Sequence, residues 1–214
     1  MGQLHRDVKS CVIVDYGMGN LWSVDSAVRY LGHNSRISSN PEDLQTASHV
    51  ILPGVGSFRM AMKRLSECGF TEGIRQFINK GNGYVLGVCL GLQILAVSSP
   101  EDGHTVGLGY LPHLVERFAF TPTSDLPIPH IGYNTVRFSE ATGLFNDLQQ
   151  DSYFYFVHSF RLTPSSTSLD TAVTHYGEPF VAAVDTGQVC GTQFHPEKSQ
   201  TNGLKLLRNF FSRA

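Results

Sequence analysis

The stretch Gly83-Tyr84-Val85-Leu86-Gly87-Val88-Cys89-Leu90-Gly91-Leu92-Gln93-Ile94-Leu95 constrains this chain more than any other. Residues 84–88 form a short apolar run of the kind that makes a fully buried strand, and residues 90–97 are apolar nearly all round, as a buried helix is. Between them lies Gly87-Val88-Cys89-Leu90-Gly91, a G-x-C-x-G pattern. It is a nucleophile elbow with sulfur in place of the serine oxygen. A sharp strand-to-helix turn crowds the backbone on both sides, so the flanking positions favour residues without side chains, and both are glycine. The turn pushes the Cys89 side chain out at the carboxyl edge of a sheet. It also sets the sulfur near the positive end of a helix, where a thiol pKa can fall from about 8.5 toward the reactive range. Cysteine is more often a small buried hydrophobe. Glycine on both sides, between strand and helix, favours the catalytic reading of Cys89.

Strands alternate with helices around this stretch. Residues 11–14 read as the first buried strand, followed by a helix over 21–31 with Asn20 as N-cap and Gly32 as its stop. Further strands fall at 35–38 and 49–52. Pro53-Gly54-Val55-Gly56-Ser57-Phe58 then turns into a helix that Gly69 closes, and another helix runs over 71–80. Such alternation implies parallel pairing in a doubly wound sheet, whose active sites lie at the carboxyl ends of the strands. Gly17-x-Gly19 lacks the third glycine of a dinucleotide fingerprint, since Trp22 stands there. The second half is strand-rich: 114–118, 134–138 and 153–157, then 171–176, 181–185 and 189–194 as antiparallel strands with a turn at Thr186-Gly187. A helix over 204–211 ends the chain. The expected fold is therefore α/β and doubly wound, with a mainly parallel central sheet flanked by helices and an antiparallel extension in the C-terminal half. Residues 11–214 are expected to form one domain, behind a flexible tail of residues 1–10.

Composition excludes several classes. With 214 residues, 41% hydrophobic and 16% charged, and a net charge of -2, the chain can bury a sizeable core, and nothing in it suggests nucleic acid or an anionic membrane as partner. Its longest apolar stretch is too short and glycine-broken to span a bilayer. The N-terminus has no apolar signal core, and Arg6 stands where a myristoylation pattern needs Ser or Thr. Cys11, Cys68, Cys89 and Cys190 show no C-x-x-C spacing, so neither a zinc knuckle nor a disulfide framework is expected. No metal or cofactor is expected, and the expected home is a reducing cytoplasm.

A thiolate that attacks a carbonyl needs a base, an orienter for the base and donors for the oxyanion. The elbow fold places the base last in the chain. There Gly191-Thr192-Gln193-Phe194-His195-Pro196-Glu197-Lys198 leaves a strand at its carboxyl end. His195 and Glu197 are two apart, so in an extended segment they lean to the same side, and the carboxylate can hold one ring nitrogen while the other faces Cys89. Taken alone, the pair could equally be a surface turn with a solvated ion pair. The oxyanion donors expected of an elbow are the Leu90 N–H and one from an earlier loop, for which Gly54 and Val55 are the well-placed candidates.

Together these pieces resemble the class I, triad-type glutamine amidotransferases, whose two signatures match Gly87-Val88-Cys89-Leu90-Gly91-Leu92-Gln93 and Gln193-Phe194-His195-Pro196-Glu197. The blocks Pro53-Gly54-Val55-Gly56-Ser57-Phe58, Pro129-His130-Ile131-Gly132-Tyr133-Asn134, Tyr155-Phe156-Val157-His158-Ser159 and His195-Pro196-Glu197-Lys198-Ser199 narrow the resemblance to the glutaminase subunits of imidazole glycerol phosphate synthase, over roughly residues 11–212. The resemblance implies that L-glutamine is hydrolysed to glutamate and ammonia through a thioester at Cys89. The ammonia would pass to a (β/α)8-barrel cyclase partner in a heterodimer that makes imidazole glycerol phosphate and AICAR in histidine biosynthesis. It also implies that Gln93 and Glu101 face the glutamine, that backbone at Gly56, Ser159 and Phe160 lines its amino-acid end, and that Asn20, Tyr133, Tyr155 and Lys198 meet the cyclase. Tyr133 stands where the family often has Trp. Val97 and Pro100 replace acidic residues, which leaves Glu101 as the acidic contact. Another ammonia donor of the superfamily, serving anthranilate, guanylate or pyridoxal phosphate synthesis, fits the Val55 turn and the 130–134 block less well. A related elbow-cysteine chaperone or hydrolase would lack the 193–197 signature, and the intact Cys89, His195 and Glu197 disfavour a non-catalytic regulatory subunit.

Overall fold

The apolar runs of the first half become the strands of a parallel sheet buried on both faces. The computed structural model describes residues 8–119, 126–164 and 170–213. The first half contains β1 (Ser10–Val14), α1 (Leu21–Tyr30), β2 (Asn34–Ser38), β3 (His49–Gly54), α2 (Phe58–Glu67), α3 (Phe70–Asn79), β4 (Tyr84–Cys89) and α4 (Leu90–Ile94). Short strands follow: β5 (Ser98–Ser99), β6 (Thr105–Val106) and β7 (Val115–Arg117). The remainder holds β8 (His130–Phe138), β9 (Ser152–His158), β10 (Phe160–Leu162), β11 (Asp170–Tyr176), β12 (Glu178–Asp185), β13 (Val189–Thr192) and α5 (Gln200–Phe211).

The main sheet has the order β2-β1-β3-β4-β13-β12-β11-β8-β9. From β2 to β13 the neighbours are parallel, and beyond β13 they are antiparallel. Alternate residues of the parallel strands face opposite layers. Ile13, Ile51, Leu86 and Val88 pack with Val24 and Val28 of α1 and Leu206 and Phe210 of α5. Val12, Val50, Leu52 and Val85 pack with Ala61 and Leu65 of α2, Ile74 and Phe77 of α3 and Leu92 of α4. Strands covered on both sides read as continuous apolar runs, which is why residues 11–14, 49–52 and 84–88 were recognisable. Among the described residues no helix is long and apolar enough to cross a membrane.

Several boundaries differ from the sequence expectation. The tail is expected to end at residue 10, yet Ser10 already pairs with Asn34, and residues 1–7 lie outside the described residues. Asn20 occupies the N-cap position of α1 but does not cap it: its amide donates to Ser23 Oγ instead. The strand expected at 189–194 as antiparallel is antiparallel to β12 only, and runs parallel to β4 on its other side. Helix α5 starts at Gln200, a full turn before the expected 204.

The largest difference is α4, which spans five residues rather than the eight of 90–97. The carbonyls of Ile94, Leu95 and Ala96 are taken by N–H groups from a passing loop: Leu108 bonds Ile94, Tyr110 and Leu111 bond Leu95, and Gly109 bonds Ala96. A helix needs those carbonyls for its next turn, so the loop ends it. The apolar surface of 90–96 is buried as expected, while Val97 is exposed.

The strand-to-helix turn itself depends on absent side chains. A Cβ on Gly91 would overlap the carbonyl oxygen of Leu52 on β3, and one on Gly87 would lie 2.6 Å from the backbone of Gly91. Gly91→Ala is therefore expected to cost about 3 kcal/mol or more by overpacking against backbone. Gly81→Ala meets nothing within contact distance and pays only for its φ of +76°, about 1–2 kcal/mol. Urea unfolding of the two variants should give that order; equal midpoints would contradict the packing account.

Candidate active site

Cys89 ends the central strand β4 with φ +55° and ψ -107°, a conformation that L side chains rarely adopt. The flanking strands β3 and β13 hold β4 on both sides, so the strained residue is fixed by the ladder around it. Cys89 is 6% exposed, and its Sγ lies 3.7 Å from Gln193 Nε2 and 3.8 Å from Val157 O. Cys11 and Cys190 are also buried. Burial pushes the thiols of Cys11 and Cys190 far up, which keeps them protonated and inert. Helix α4 contributes fewer aligned peptides than the expected eight-residue helix would. Its first turn still leaves N–H groups without intrahelical partners beside the sulfur.

His195 and Glu197 come together beside this elbow, though not in the extended segment expected from their spacing. Residues Pro196–Lys198 form a 3-10 turn, and that turn brings Glu197 Oε1 to 2.8 Å from His195 Nδ1. Both side chains are buried. The His195 backbone is held at its N–H by Tyr155 O of β9 and at its carbonyl by Ser199 Oγ. A carboxylate only accepts, so Nδ1 carries a proton and Nε2 is the nitrogen that gains or loses the second one. Nε2 is buried with no hydrogen-bond partner among the described residues. Burial disfavours the imidazolium, but Cys89 and then Glu197 outweigh it, and the His195 pKa is pushed up to about 10.

A cavity of ≈ 270 Å³ opens onto Cys89, lined by Val55, Gly56, Leu90, Gln93, Glu101, Ser159 and Phe160. Its size suits an amino acid rather than the larger ligands of typical ~300–1,000 Å³ pockets. Gly54 lies just behind, where a side chain would collide with the Tyr16 hydroxyl, and that hydroxyl donates to Pro53 O. Two of the lining polar residues have partners within the protein. The Gln93 amide nitrogen donates to Phe160 O (2.7 Å) and Gln193 Oε1 (3.0 Å). Glu101 Oε2 accepts from the Phe58 N–H at the start of α2 (2.8 Å), and burial raises its pKa. A wider groove of ≈ 460 Å³, lined by Trp22, Tyr30 and Glu197 among others, has no cysteine or histidine in its lining.

The residues expected at a partner surface form one cluster and one outlier. Tyr133 donates to Lys198 O (2.8 Å), its ring meets Tyr155 edge-on at 5.5 Å, and Lys198 Nζ lies 5.7 Å from the Tyr155 ring centre. Tyr133 is 49% exposed, so it is no core residue. Asn20 stands just before α1, which packs against the 196–198 turn. Sequence reasoning missed four residues here, among them Val157, which lines the cavity and whose carbonyl lies beside Cys89 Sγ. Gln193 joins Cys89 to Gln93 and stood inside the quoted signature; Pro129 and His158 also line the cavity, inside blocks quoted only for their resemblance.

The glutamine amidotransferase class-I family pattern matches residues 12–214, and the chain belongs to that family. A chain of the PurLQS structure from Thermotoga maritima, 16% identical, superposes with a TM-score of 0.74 over 96% of this chain and 98% of its own, a likeness of fold. Within the class, its relatives are HisH subunits of imidazole glycerol phosphate synthase. That of Moorella thermoacetica is 40% identical over 203 residues, 95% of this chain and 94% of its own. That of Methanosarcina acetivorans is 44% identical over 205 residues, 95% of this chain and 98% of its own. These matches place the chain in the HisH branch.

The raised pKa of His195 links the site to stability. Stabilisation by a base whose folded pKa is raised is complete below its unfolded value of about 6.5 and is lost as pH rises toward about 10. Glu197→Gln removes one of the two groups that hold the proton. The variant is expected to be less stable by about 2 kcal/mol near pH 6, with the gap closing as pH rises through about 10. Urea unfolding across that range checks it, and a gap that widens with pH would refute the charge state assigned to His195.

Proposed function

We infer that this chain is a glutaminase subunit that hydrolyses glutamine and delivers ammonia to a partner subunit for imidazole glycerol phosphate synthesis. The observation that carries the reading is the Cys89 elbow, opening to an amino-acid-sized cavity with His195 and Glu197 alongside. In the proposed mechanism the thiol proton passes to His195 Nε2, where the raised pKa holds it, and Cys89 Sγ then bonds to the amide carbon of glutamine. The carbonyl oxygen becomes an oxyanion, stabilised by N–H groups of Leu90 and of the Gly54-Val55 loop. The C–N bond then breaks, and the proton leaves with ammonia. Water, activated by the same imidazole, hydrolyses the thioester to glutamate and restores the thiol. Glu197 holds the tautomer and balances the imidazolium. Glu101 meets the α-amino group of the substrate, and Gly56, Gln93, Ser159 and Phe160 cradle its amino-acid end.

Ammonia released to bulk water at neutral pH becomes mostly ammonium, so delivery needs a closed route that starts beside Cys89. The proposed partner is a (β/α)8-barrel cyclase seated over Asn20, Tyr133, Tyr155 and Lys198. Lys198 supports this, since it makes no ion pair among the described residues and its ammonium sits over the Tyr155 ring. A carboxylate on the partner would complete it. The reducing cytoplasm suits a free nucleophilic thiol.

Cys89→Ser is expected to lower glutamine hydrolysis about 10⁴-fold or more in the complex while leaving fold and partner binding intact. A glutamine-like affinity label should add once, at Cys89; addition at Cys11, Cys68 or Cys190 would sink the assignment. Lys198→Ala should leave the KM for glutamine near normal while weakening the complex about tenfold or lowering the ratio of cyclase product to glutamate. An unchanged ratio at unchanged complex affinity would remove Lys198 from the interface.

A further inference from the structure

Two histidines outside the triad are buried beside the cavity and have no part in the chemistry above. His130 of β8 is 3% exposed and His158 of β9 is 6% exposed. They stand directly opposite each other in the β8–β9 ladder, with His130 Nδ1 3.1 Å from His158 Nε2. His158 Nδ1 is 2.9 Å from Phe160 O, and Asn134 Nδ2 is 3.5 Å from His130 Nε2. The rings are packed among aromatics, His130 stacked on Tyr176 at 4.0 Å and His158 edge-on to Phe180 at 5.0 Å. Burial pushes the pKa of His130 down to about 4 and that of His158 down to about 3, so both rings are neutral at neutral pH.

Only one arrangement of protons satisfies these partners. A carbonyl oxygen accepts and cannot donate, so His158 carries its proton on Nδ1. Its Nε2 is then bare and must accept, which puts the His130 proton on Nδ1. His130 Nε2 is bare in turn and faces the amide nitrogen of Asn134. That amide is already oriented, because Asn134 Oδ1 accepts from the Thr135 N–H and Nδ2 also donates to His175 O. Every bond points the same way, toward Phe160 O. There the Gln93 amide donates to the same oxygen, so both lone pairs of that carbonyl are engaged. Ser159 is anchored beside it, its carbonyl accepting from the Phe118 N–H.

We propose that Asn134, His130 and His158 form a one-way hydrogen-bonded chain that, with Gln93, holds the Phe160 carbonyl and so positions the 159–160 edge against which glutamine is bound. The proposal rests on the glutaminase reading. His130 and His158 act through the backbone and are positioning residues.

Side-chain ¹⁵N–¹H spectra of the full chain labelled at histidine, at neutral pH, test the chain without reference to activity. Both rings should be neutral and protonated on Nδ1. A proton on Nε2 of either ring, or an imidazolium, would overturn the proposal. Kinetics of the complex with its partner test the role. His130→Leu leaves the His158 acceptor unpaired and should raise the KM for glutamine about tenfold with kcat within about threefold. His130→Asn keeps a donor near the Nδ1 position and should restore KM to within about threefold of wild type. An unchanged KM in His130→Leu, or His130→Asn as impaired as His130→Leu, would overturn the positioning role. A wild-type complex that releases no glutamate from glutamine would overturn the glutaminase reading itself, a failure the spectra do not share.

Discussion

The contact between the Gly91 backbone and the Leu52 carbonyl is the constraint on which the rest of the structure depends. It lets α4 start directly on top of β3, so β4 has no room to end in a relaxed loop. Cys89 absorbs the change of direction in one residue, at φ +55°. Strain of that kind persists only where the surroundings over-determine it. Here the surroundings are two parallel neighbours in register with β4, Gly54 opposite Cys89 on one side and Thr192 opposite Val88 on the other. Those same neighbours carry the remaining pieces of the site out of the sheet. The end of β3 and the loop after it supply the candidate oxyanion groups, and the chain after β13 supplies His195 and Glu197. One packing contact thus sets the direction of the Cys89 side chain and the placing of what surrounds it.

The second determinant is electrostatic. His195 and Glu197 are removed from water, and burial alone would favour a neutral imidazole, as it does at His49, His130 and His158. At His195 the balance is reversed by a thiol and a carboxylate. The four rings share a dry environment and differ in their partners: carbonyls, a hydroxyl, an amide and each other for three of them, acidic groups for the fourth. That difference separates an imidazole that holds a second proton from imidazoles that serve as fixed hydrogen-bonding groups.

Most of the parallel half was legible in the sequence because strands buried on both faces leave continuous apolar runs, and helices stopped by glycine leave clear ends. Gly69, at φ +76° between α2 and α3, is such an end. The length of α4 was not legible. Residues 90–97 have the composition of a longer helix, and what ends it is a set of N–H groups arriving from residues 108–111. The dual pairing of β13 was hidden for a similar reason, since a strand carries no mark of which neighbour runs with it and which against it. The 3-10 turn at Pro196–Lys198 replaced an extended segment, yet it brought the same two side chains together, because Nδ1 and Oε1 can meet from either geometry.

The sequence by itself determined the fold class, the elbow that presents Cys89, and the spacing that allows His195 and Glu197 to meet, because these rest on local spacing and on residues whose backbone or chemical character is particular. Tertiary structure alone decided which polar groups face the cavity and which are spent inside the protein. Glu101 both lines the cavity and caps α2, Gln93 commits its nitrogen to Phe160 O and Gln193, and His158 reaches the cavity wall through a carbonyl two residues on. Those partners are brought together across separations of up to a hundred residues. A hydrogen bond between distant segments depends on distance and angle that only the folded chain supplies.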